Sequence, residues 1–343
     1  MNPAFIIAGV LIVLAPHWTL QSSGVTARLR GVSAVSDRVA WASGSDSTIL
    51  RTTDGGTTWQ KLTVTSDKLD FRDIDAVDAR TAYTLSIGNG DASRIYKTTD
   101  AGATWTLQFK NDDPKGFYDS MSFWDADHGI VIGDSIDGQF CILTTDNGGR
   151  IWKRVPSTSL PAALPNEGAF AASGTNISLV GPAHAWIATG GASKSRVLRT
   201  SDRGRTWKIS DTPINAGSST GAFSIAFRDA RHGVIVGGDY TKEGEAIENL
   251  ALTSDGGITW SLGKGLSGYR SVVAYVPGRG RSKVRTIVAV GPSGADYSTD
   301  DGHSWQQLEG PGFDTLSFVR SGQSQIVGWS TGKDGAIGML TFK

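Results

Sequence analysis

The sequence predicts an all-β fold built from repeated four-stranded antiparallel units. The stretch at residues 52–59 (TTDGGTTW) recurs with the pattern S/T-x-D-x-G-x-T/S-W at 98–105, 200–207, 253–260 and 298–305. A sixth copy at 144–152 (TTDNGGRIW) carries one extra residue before its tryptophan. The aspartates of the six copies are 45 to 56 residues apart: Asp54, Asp100, Asp146, Asp202, Asp255 and Asp300. Repeats of roughly 40–50 residues with several strands each predict the blades of a β-propeller.

Each position of this motif has a structural role. The aspartate carboxylate accepts hydrogen bonds from backbone N–H groups a few residues further on, which closes a tight turn. The glycine two places later supplies a backbone conformation that a Cβ would resist. We therefore expect the six aspartates to stabilise turns rather than to act as catalytic acids. Because tryptophan is a large apolar anchor, we expect burial between neighbouring blades for Trp59, Trp105, Trp152, Trp207, Trp260 and Trp305.

The two ends of the chain predict how the ring of blades closes. Residues 18–21 (WTLQ) repeat residues 105–108, a strand that follows the motif, but no motif precedes them. Residues 313–343 contain strands without a motif. We therefore expect the N-terminal strand to complete the C-terminal blade, which removes the unpaired edges of an open sheet. The seven predicted blades are 24–63, 68–110, 117–156, 168–210, 221–263, 268–309, and 312–343 with 17–22.

The composition limits the classes of function. The chain of 343 residues has 33 Lys+Arg and 33 Asp+Glu, and this zero net charge argues against general nucleic-acid binding. The single cysteine, Cys141, has no partner for an internal disulfide and lies in an apolar run that predicts a buried thiol. No Cys/His cluster has the spacing of zinc ligands. We expect no metal, no cofactor and a monomer.

The N-terminus predicts export. Residues 5–15 (FIIAGVLIVLA) are continuously apolar, which is too short for a membrane span of ~20 residues but suits the core of a signal peptide. No Lys or Arg precedes this run, so retention as a short anchor is the alternative. We expect residues 1–16 to be a signal peptide or anchor and residues 17–343 to form the propeller. The expected location is periplasmic or extracellular, with membrane contact only through the N-terminal segment.

Candidate functional residues lie where the chain enters the first strand of each blade and in the loop between strands two and three. In a propeller the first strands line the central channel, and these loops surround one mouth. Charged residues at such positions predict a polar ligand site: Arg72, Glu167, Arg270, Asp134, Asp239 and Asp296. Arginine binds carboxylates bidentately, and a nearby glutamate can serve as acid or base. The alternative is that these charges pair with one another or face water.

Two further segments support a resemblance to a known family. Residues 125–134 (DADHGIVIGD) and 229–238 (DARHGVIVGG) share the pattern D-x-x-H-G-φ-φ-φ-G, where φ is apolar. The turn motif resembles an Asp-box (BNR) repeat. Together they make the chain similar to the Ycf48/Hcf136-like family of seven-bladed photosystem II assembly factors and its relatives in non-photosynthetic bacteria. The resemblance covers almost all of the chain after the first twenty or so residues, and it implies structural Asp-box aspartates.

Two functions are compatible with this resemblance. The first is a non-enzymatic assembly scaffold that binds a protein partner at the cell envelope. Asp-box repeats also occur in sialidases, so the alternative is a glycan-active hydrolase or glycan-binding protein with Glu167, Asp134 and Tyr297 as candidate catalytic residues. The Arg-Ile-Pro motif of sialidases is absent, and the nearest basic site at 28–30 (RLR) does not match it. The expected occupant of the mouth is therefore a protein or a glycan.

Overall fold

The computed structural model describes residues 16–278, 285–321 and 325–342. Within them the chain forms twenty-eight strands in seven four-stranded sheets, and the strands of each sheet pair antiparallel. This arrangement confirms the predicted seven-bladed β-propeller. The apolar run at 5–15, predicted to be a signal peptide or anchor, lies outside the described residues. Across the described ranges, no helix has the length and hydropathy needed to cross a membrane.

The strands follow the chain blade by blade, with the first strand of each blade next to the central channel. The first described strand is β1 (Pro16–Gln21), which belongs to blade 7. Blade 1 contains β2 (Leu29–Ala34), β3 (Ala40–Gly44), β4 (Thr48–Thr52) and β5 (Gln60–Leu62). Blade 2 contains β6 (Asp70–Ala76), β7 (Ala82–Ile87), β8 (Arg94–Thr98) and β9 (Thr106–Lys110). Blade 3 contains β10 (Tyr118–Phe123), β11 (Gly129–Ile136), β12 (Gln139–Thr145) and β13 (Lys153–Arg154).

The second half of the ring repeats this order. Blade 4 contains β14 (Ile177–Val180), β15 (His184–Thr189), β16 (Arg196–Thr200) and β17 (Lys208–Asp211). Blade 5 contains β18 (Thr220–Phe227), β19 (Gly233–Asp239), β20 (Leu250–Thr253) and β21 (Ser261–Leu262). Blade 6 contains β22 (Val272–Tyr275), β23 (Ile287–Gly291), β24 (Gly294–Ser298) and β25 (Gln306–Leu308). Blade 7 contains β26 (Thr315–Ser321), β27 (Gln325–Thr331) and β28 (Ile337–Phe342). Short 3-10 helices occur at Gly90–Ala92, Ser157–Ser159 and Lys333–Gly335.

The N-terminal strand closes the ring as predicted. Strand β1 pairs antiparallel with β28, and Trp18 lies opposite Leu340. The ring of Trp18 packs 4.8 Å, centroid to centroid, from that of Phe313 at the start of blade 7. Blade 7 therefore draws its outer strand from the opposite end of the chain, and the outer edge of β28 is paired rather than exposed.

The hydrophobic cores lie between neighbouring blades. Between blades 3 and 4, Ile132 packs with Leu198 and the motif tryptophan Trp207, which is buried. Between blades 1 and 2, Trp41 lies against the half-buried Trp105 in an edge-to-face contact with ring centroids 6.2 Å apart. The remaining motif tryptophans are half-buried and contact equivalent clusters: Trp59, Trp152, Trp260 and Trp305.

The repeated turns have the hydrogen bonds that their sequence predicts. The carboxylate of Asp100 accepts from the backbone N–H of Thr104 at 2.9 Å and from its hydroxyl at 2.6 Å. The hydroxyl of Thr98 donates to the same carboxylate at 2.8 Å and accepts from the N–H of Gly102 at 2.9 Å. Gly102 has a φ of +87°, and a Cβ there would approach Leu62 at 2.5 Å. The same pattern of bonds recurs at Asp54, Asp202, Asp255 and Asp300.

The expectation that Asp146 fills this role in blade 3 is wrong. Its neighbour Asn147 accepts from the hydroxyl of Thr145 at 3.1 Å and from the backbone N–H of Ile151 at 3.0 Å. The side chain of Asp146 is exposed and lies 3.4 Å from the ammonium of Lys153. The sixth copy therefore has no extra residue. It reads T-D-N-G-G-R-I-W from Thr145, and an asparagine replaces the aspartate.

Candidate binding site at the propeller mouth

Four first strands carry a β-bulge at the same end of the propeller. The register shifts at Arg30 in β2, Arg72 in β6, Asp119 in β10 and Phe223 in β18. A bulge leaves one residue without a partner on the neighbouring strand and re-aims its side chain. All four side chains line a single cavity at the mouth. Each bulge thus turns one side chain of a channel-lining strand into the cavity, and the four side chains together form part of its lining.

The cavity has a volume of about 420 Å³, which is within the range of small-ligand sites. Its floor is the segment 168–176 of blade 4, which leaves the sheet and crosses the channel. The hydroxyl of Ser173 donates to the carbonyl of Ser271 in blade 6 at 2.7 Å, and its own carbonyl accepts from Thr315 in blade 7 at 2.9 Å. On the opposite side, Arg72 of blade 2 donates to the carbonyl of Ala171 at 2.8 Å. The predicted first strand of blade 4 is therefore short, because residues 168–176 contact the other blades instead.

Three arginines from blades 1 and 2 lie along one side of the cavity. Arg28 forms a bidentate ion pair with Asp314, with N–O distances of 2.7 and 2.8 Å. Arg72 pairs with Asp70 at 2.9 Å. Arg30 forms no ion pair with any of the described residues. Burial and the neighbouring positive charges of Arg72 and Arg28 lower the pKa of Arg30 to about 10. An anionic or carbonyl group of a ligand would stabilise this half-buried guanidinium.

Two carboxyl groups of blade 3 line the adjoining part of the cavity. The side chain of Asp119 is 1% exposed, and its Oδ2 receives no hydrogen bond from the described part of the chain. Burial, together with the nearby carboxylate of Asp134, raises the pKa of Asp119 well above its ordinary value. Burial also raises the pKa of Asp134 to about 6, and the nearby backbone N–H of Ala169 opposes this effect.

Aromatic rings from blades 4 to 6 form the remaining wall. Phe170 and Phe223 stack with their centroids 3.9 Å apart and their planes at 7°. Tyr269 meets Phe223 edge-on at 4.8 Å, and the 48% exposed Tyr240 contacts both phenylalanines at the rim. The mouth is therefore divided into a basic side, a carboxyl side and an aromatic side.

Two of the six predicted ligand residues, Arg72 and Asp134, line this cavity. The prediction that Glu167 lies there is wrong. Its carboxylate is 1% exposed, pairs bidentately with Arg196, and accepts from the hydroxyl of Thr189 at 2.7 Å. Arg196 in turn donates to the carbonyl of Ala162 at 3.0 Å. This buried pair holds the segment 156–166 against blade 4.

The prediction for Arg270 and Asp296 is wrong in the same way. Both are fully buried, and they form an ion pair with an Nη2–Oδ2 distance of 2.6 Å. Asp239 points away from the cavity and accepts hydrogen bonds from the backbone N–H and hydroxyl of Thr241. Tyr297, a predicted catalytic residue, lies on β24 and donates to Gln306 at 2.6 Å. The alternative expectation, that these charges pair with one another, holds for the Arg270–Asp296 pair.

Sequence reasoning missed Arg28, Arg30 and the aromatic wall as site residues. The signal for Arg30 was available, because Leu29-Arg30-Gly31 occupies the same position in blade 1 as Phe71-Arg72-Asp73 in blade 2. The sequence does not distinguish Arg270 from Arg72, because each follows an aromatic residue. In the structure, however, the side chain of Arg270 turns inward and pairs with a carboxylate. The difference depends on Asp296, a residue of the neighbouring hairpin.

The fold and the site define a closed seven-bladed propeller with a ligand-sized cavity at its mouth. Residues 15–234 match the family model described as the DUF6242 beta propeller domain. This match covers more than half of the chain, so the chain belongs to that family. A search of curated proteins finds no match.

Several solved structures share the fold. Ycf48 bound to a D1 peptide is similar at 18% identity over 95% of this chain and 96% of that chain, with a TM-score of 0.63. Ycf48 from Cyanidioschyzon merolae is similar at 16% identity over 94% and 98% of the two chains, with a TM-score of 0.63. An ancestral GH74 enzyme is similar at 13% identity over 93% of this chain and 45% of that chain, with a TM-score of 0.64. At these identities the likeness shows the fold alone.

Proposed function

We propose that this chain is an exported, non-enzymatic scaffold that binds an extended segment of a partner protein at the propeller mouth. The observation that carries this proposal is the cavity itself, which is lined by Arg30, without an ion-pair partner among the described residues, and by a wall of aromatic rings. A protein segment offers the complementary groups, since its carbonyls and carboxylates accept from arginine and its apolar side chains pack on rings. A propeller of the same fold has been solved with a peptide bound, which supports this reading.

The proposal has two further parts. The hydrogen bonds of the repeated turns support their assignment as Asp-box repeats. Export rests on the apolar run at 5–15 and stays a prediction from the sequence, together with the division into residues 1–16 and 17–343. Detecting the cut, or its absence, by mass spectrometry of the native protein tests both.

A peptide selection tests the binding proposal. We expect the full chain, immobilised, to enrich a family of peptides from a random displayed library. An enriched peptide should bind Arg30→Ala at least about tenfold more weakly, because a charge-assisted hydrogen bond is worth about 1.5–3 kcal/mol. Tyr240→Ala should also weaken binding. The control is Arg205→Ala, which removes an exposed arginine from a peripheral turn. Absence of enrichment, or equal binding by all three variants, would contradict the proposal.

Glycoside hydrolysis is the second candidate, and one observation keeps it in view. Asp134 and Asp119 are two carboxyl groups in one cavity, and a pKa near 6 suits Asp134 for general acid catalysis. The other two predicted catalytic residues do not assist Asp134. Glu167 is paired with Arg196, and the hydroxyl of Tyr297 donates to Gln306. Turnover of fluorogenic glycosides by the full chain, abolished in Asp134→Asn, would make the protein a hydrolase.

A further inference from the structure

We propose that Asp119 and Asp134 form a subsite for a primary ammonium group, supplied by a lysine side chain or a free amino terminus of the bound segment. This inference rests on the proposed function, because it specifies one group that the occupant of the mouth must carry. The cavity geometry supports it in four steps.

The first step is the state of Asp119. The β10 bulge aims this side chain into the cavity while the strand around it stays buried. Its Oδ2 is inaccessible to bulk solvent and accepts no hydrogen bond from the described residues. A buried polar atom without a partner is costly. A ligand that brings a donor to this oxygen recovers that cost.

The second step is the proximity of the two carboxyl groups. Asp134 follows Gly133, which lies opposite Tyr118 in the β10–β11 pairing, so both carboxyl groups belong to one end of one hairpin. The carboxylate of Asp134 disfavours ionisation of Asp119, because like charges in a cavity repel. A hydroxyl group would satisfy one oxygen but would leave this repulsion, whereas a cation between the two carboxylates removes it.

The third step is that no cation among the described residues forms an ion pair with either carboxyl group. The charged groups that act on Asp119 are Asp134 and Arg72. The guanidinium of Arg72 is already bonded to Asp70 and to the carbonyl of Ala171. Arg72 therefore acts on Asp119 from a distance, and no salt bridge from the basic side of the mouth reaches either carboxyl group among the described residues.

The fourth step favours ammonium over guanidinium. The Oδ2 of Asp119, which has no hydrogen-bond partner among the described residues, is a single acceptor on a buried carboxyl group. An arginine fork matches two oxygens of one exposed carboxylate, whereas an ammonium presents three donors around a point. The adjoining rings of Phe170 and Phe223 provide an apolar surface for an aliphatic stem.

Three small probes test the subsite without any partner. Ligand-detected NMR on the full chain would compare Nα-acetyl-lysine amide, Nα-acetyl-norleucine amide, which lacks the ammonium, and glycine amide, which has a free α-amine without the stem. We expect the lysine probe to bind and the norleucine probe to bind at least about tenfold more weakly. Stronger binding of glycine amide than of the lysine probe would assign the group to a free amino terminus.

The variants Asp119→Asn and Asp134→Asn should each weaken the lysine probe by about tenfold or more, with folding checked by thermal unfolding. The matched control is Asp137→Asn on the same blade, because Asp137 is exposed and pairs with Lys115 at the surface. Equal binding of the lysine and norleucine probes, survival of binding in both variants, or no binding of either amine overturns the inference. If displayed peptides bind without any dependence on an amine, the subsite fails while the proposed function stands. If the lysine probe binds and no peptide is enriched, the proposed function fails while the subsite stands.

Discussion

At the scale of single residues, one carboxylate stabilises each of five repeated turns, and the amide of Asn147 replaces it in the turn of blade 3. Asp100 accepts from the N–H and the hydroxyl of Thr104 and from the hydroxyl of Thr98, so three hydrogen bonds support its ionised form. These bonds lower the pKa of Asp54, Asp100 and Asp255 to about 2. The aspartate of the motif therefore stabilises its turn through local hydrogen bonds to the ionised carboxylate.

Asp100→Ala is expected to lower the melting temperature at neutral pH. The folded pKa of Asp100 lies below its unfolded value of ~3.9. Its stabilising effect is therefore complete above about pH 4 and is lost as the pH falls towards 2. The difference in melting temperature between the parent and the variant should shrink over the same interval. Asp146→Ala is the control, since Asp146 only approaches Lys153 at the surface, and it should leave the melting temperature unchanged.

Trp207→Ala tests the packing between blades 3 and 4. Trp207 is 7% exposed, and its indole N–H donates to the carbonyl of Gly204 at 2.9 Å. Removing a buried tryptophan leaves a cavity, so we expect a loss of ~3–5 kcal/mol in the free energy of unfolding by urea. Ile258→Ala, at a 57% exposed position, should cost far less. Equal stability of parent and Trp207→Ala would show that the blade interface does not depend on this residue.

At the scale of elements, the segment 168–176 matters more than any single strand. It leaves blade 4, crosses the channel and bonds to blades 2, 6 and 7, so it provides the floor of the cavity. The crossing requires Gly174, which has a φ of +72°, and a Cβ there would lie 2.3 Å from Oδ1 of Asp73. Glycine is needed both for the backbone conformation and for the close approach.

Gly174→Ala is expected to be destabilising for two reasons, backbone strain and steric overlap. The control variant Gly24→Ala isolates the backbone strain. Gly24 has nearly the same φ, +71°, and an added Cβ there would have no atom within 4 Å. The control should cost about 1 kcal/mol through strain alone. Chemical denaturation should give a clearly larger loss for Gly174→Ala. Equal losses would mean that Asp73 moves aside and that the floor is not tightly packed.

The sequence predicted the elements better than their details. The turn chemistry of the motif placed six turns, yet the turn of blade 3 was assigned to Asp146 instead of its neighbour Asn147, because both residues suit the turn. The bulges at Arg30 and Asp119 were beyond prediction, since a one-residue register shift depends on the neighbouring strand. The burial of Glu167 was also beyond prediction, because it depends on an ion pair with Arg196, which is 29 residues away in the sequence.

At the scale of the whole molecule, ring closure connects the two ends of the chain and makes the mouth a fixed structure. Strand β1 joins β28, and Arg28 at the start of blade 1 pairs with Asp314 of blade 7 across the seam. Closure was predictable from the repeated WTLQ segment, whereas the division of the mouth into basic, carboxyl and aromatic sides needed all seven blades in place. The molecule therefore presents a chemically asymmetric cavity to which all seven blades contribute.

The most direct test of the central claim is the crystal structure of the full chain with a peptide from the selection. The account predicts that the peptide lies across the mouth, with an acceptor group within about 3 Å of the Arg30 guanidinium and an apolar side chain against the ring of Phe223. A peptide that pairs along the outer edge of a blade, or that binds the opposite face, would contradict it.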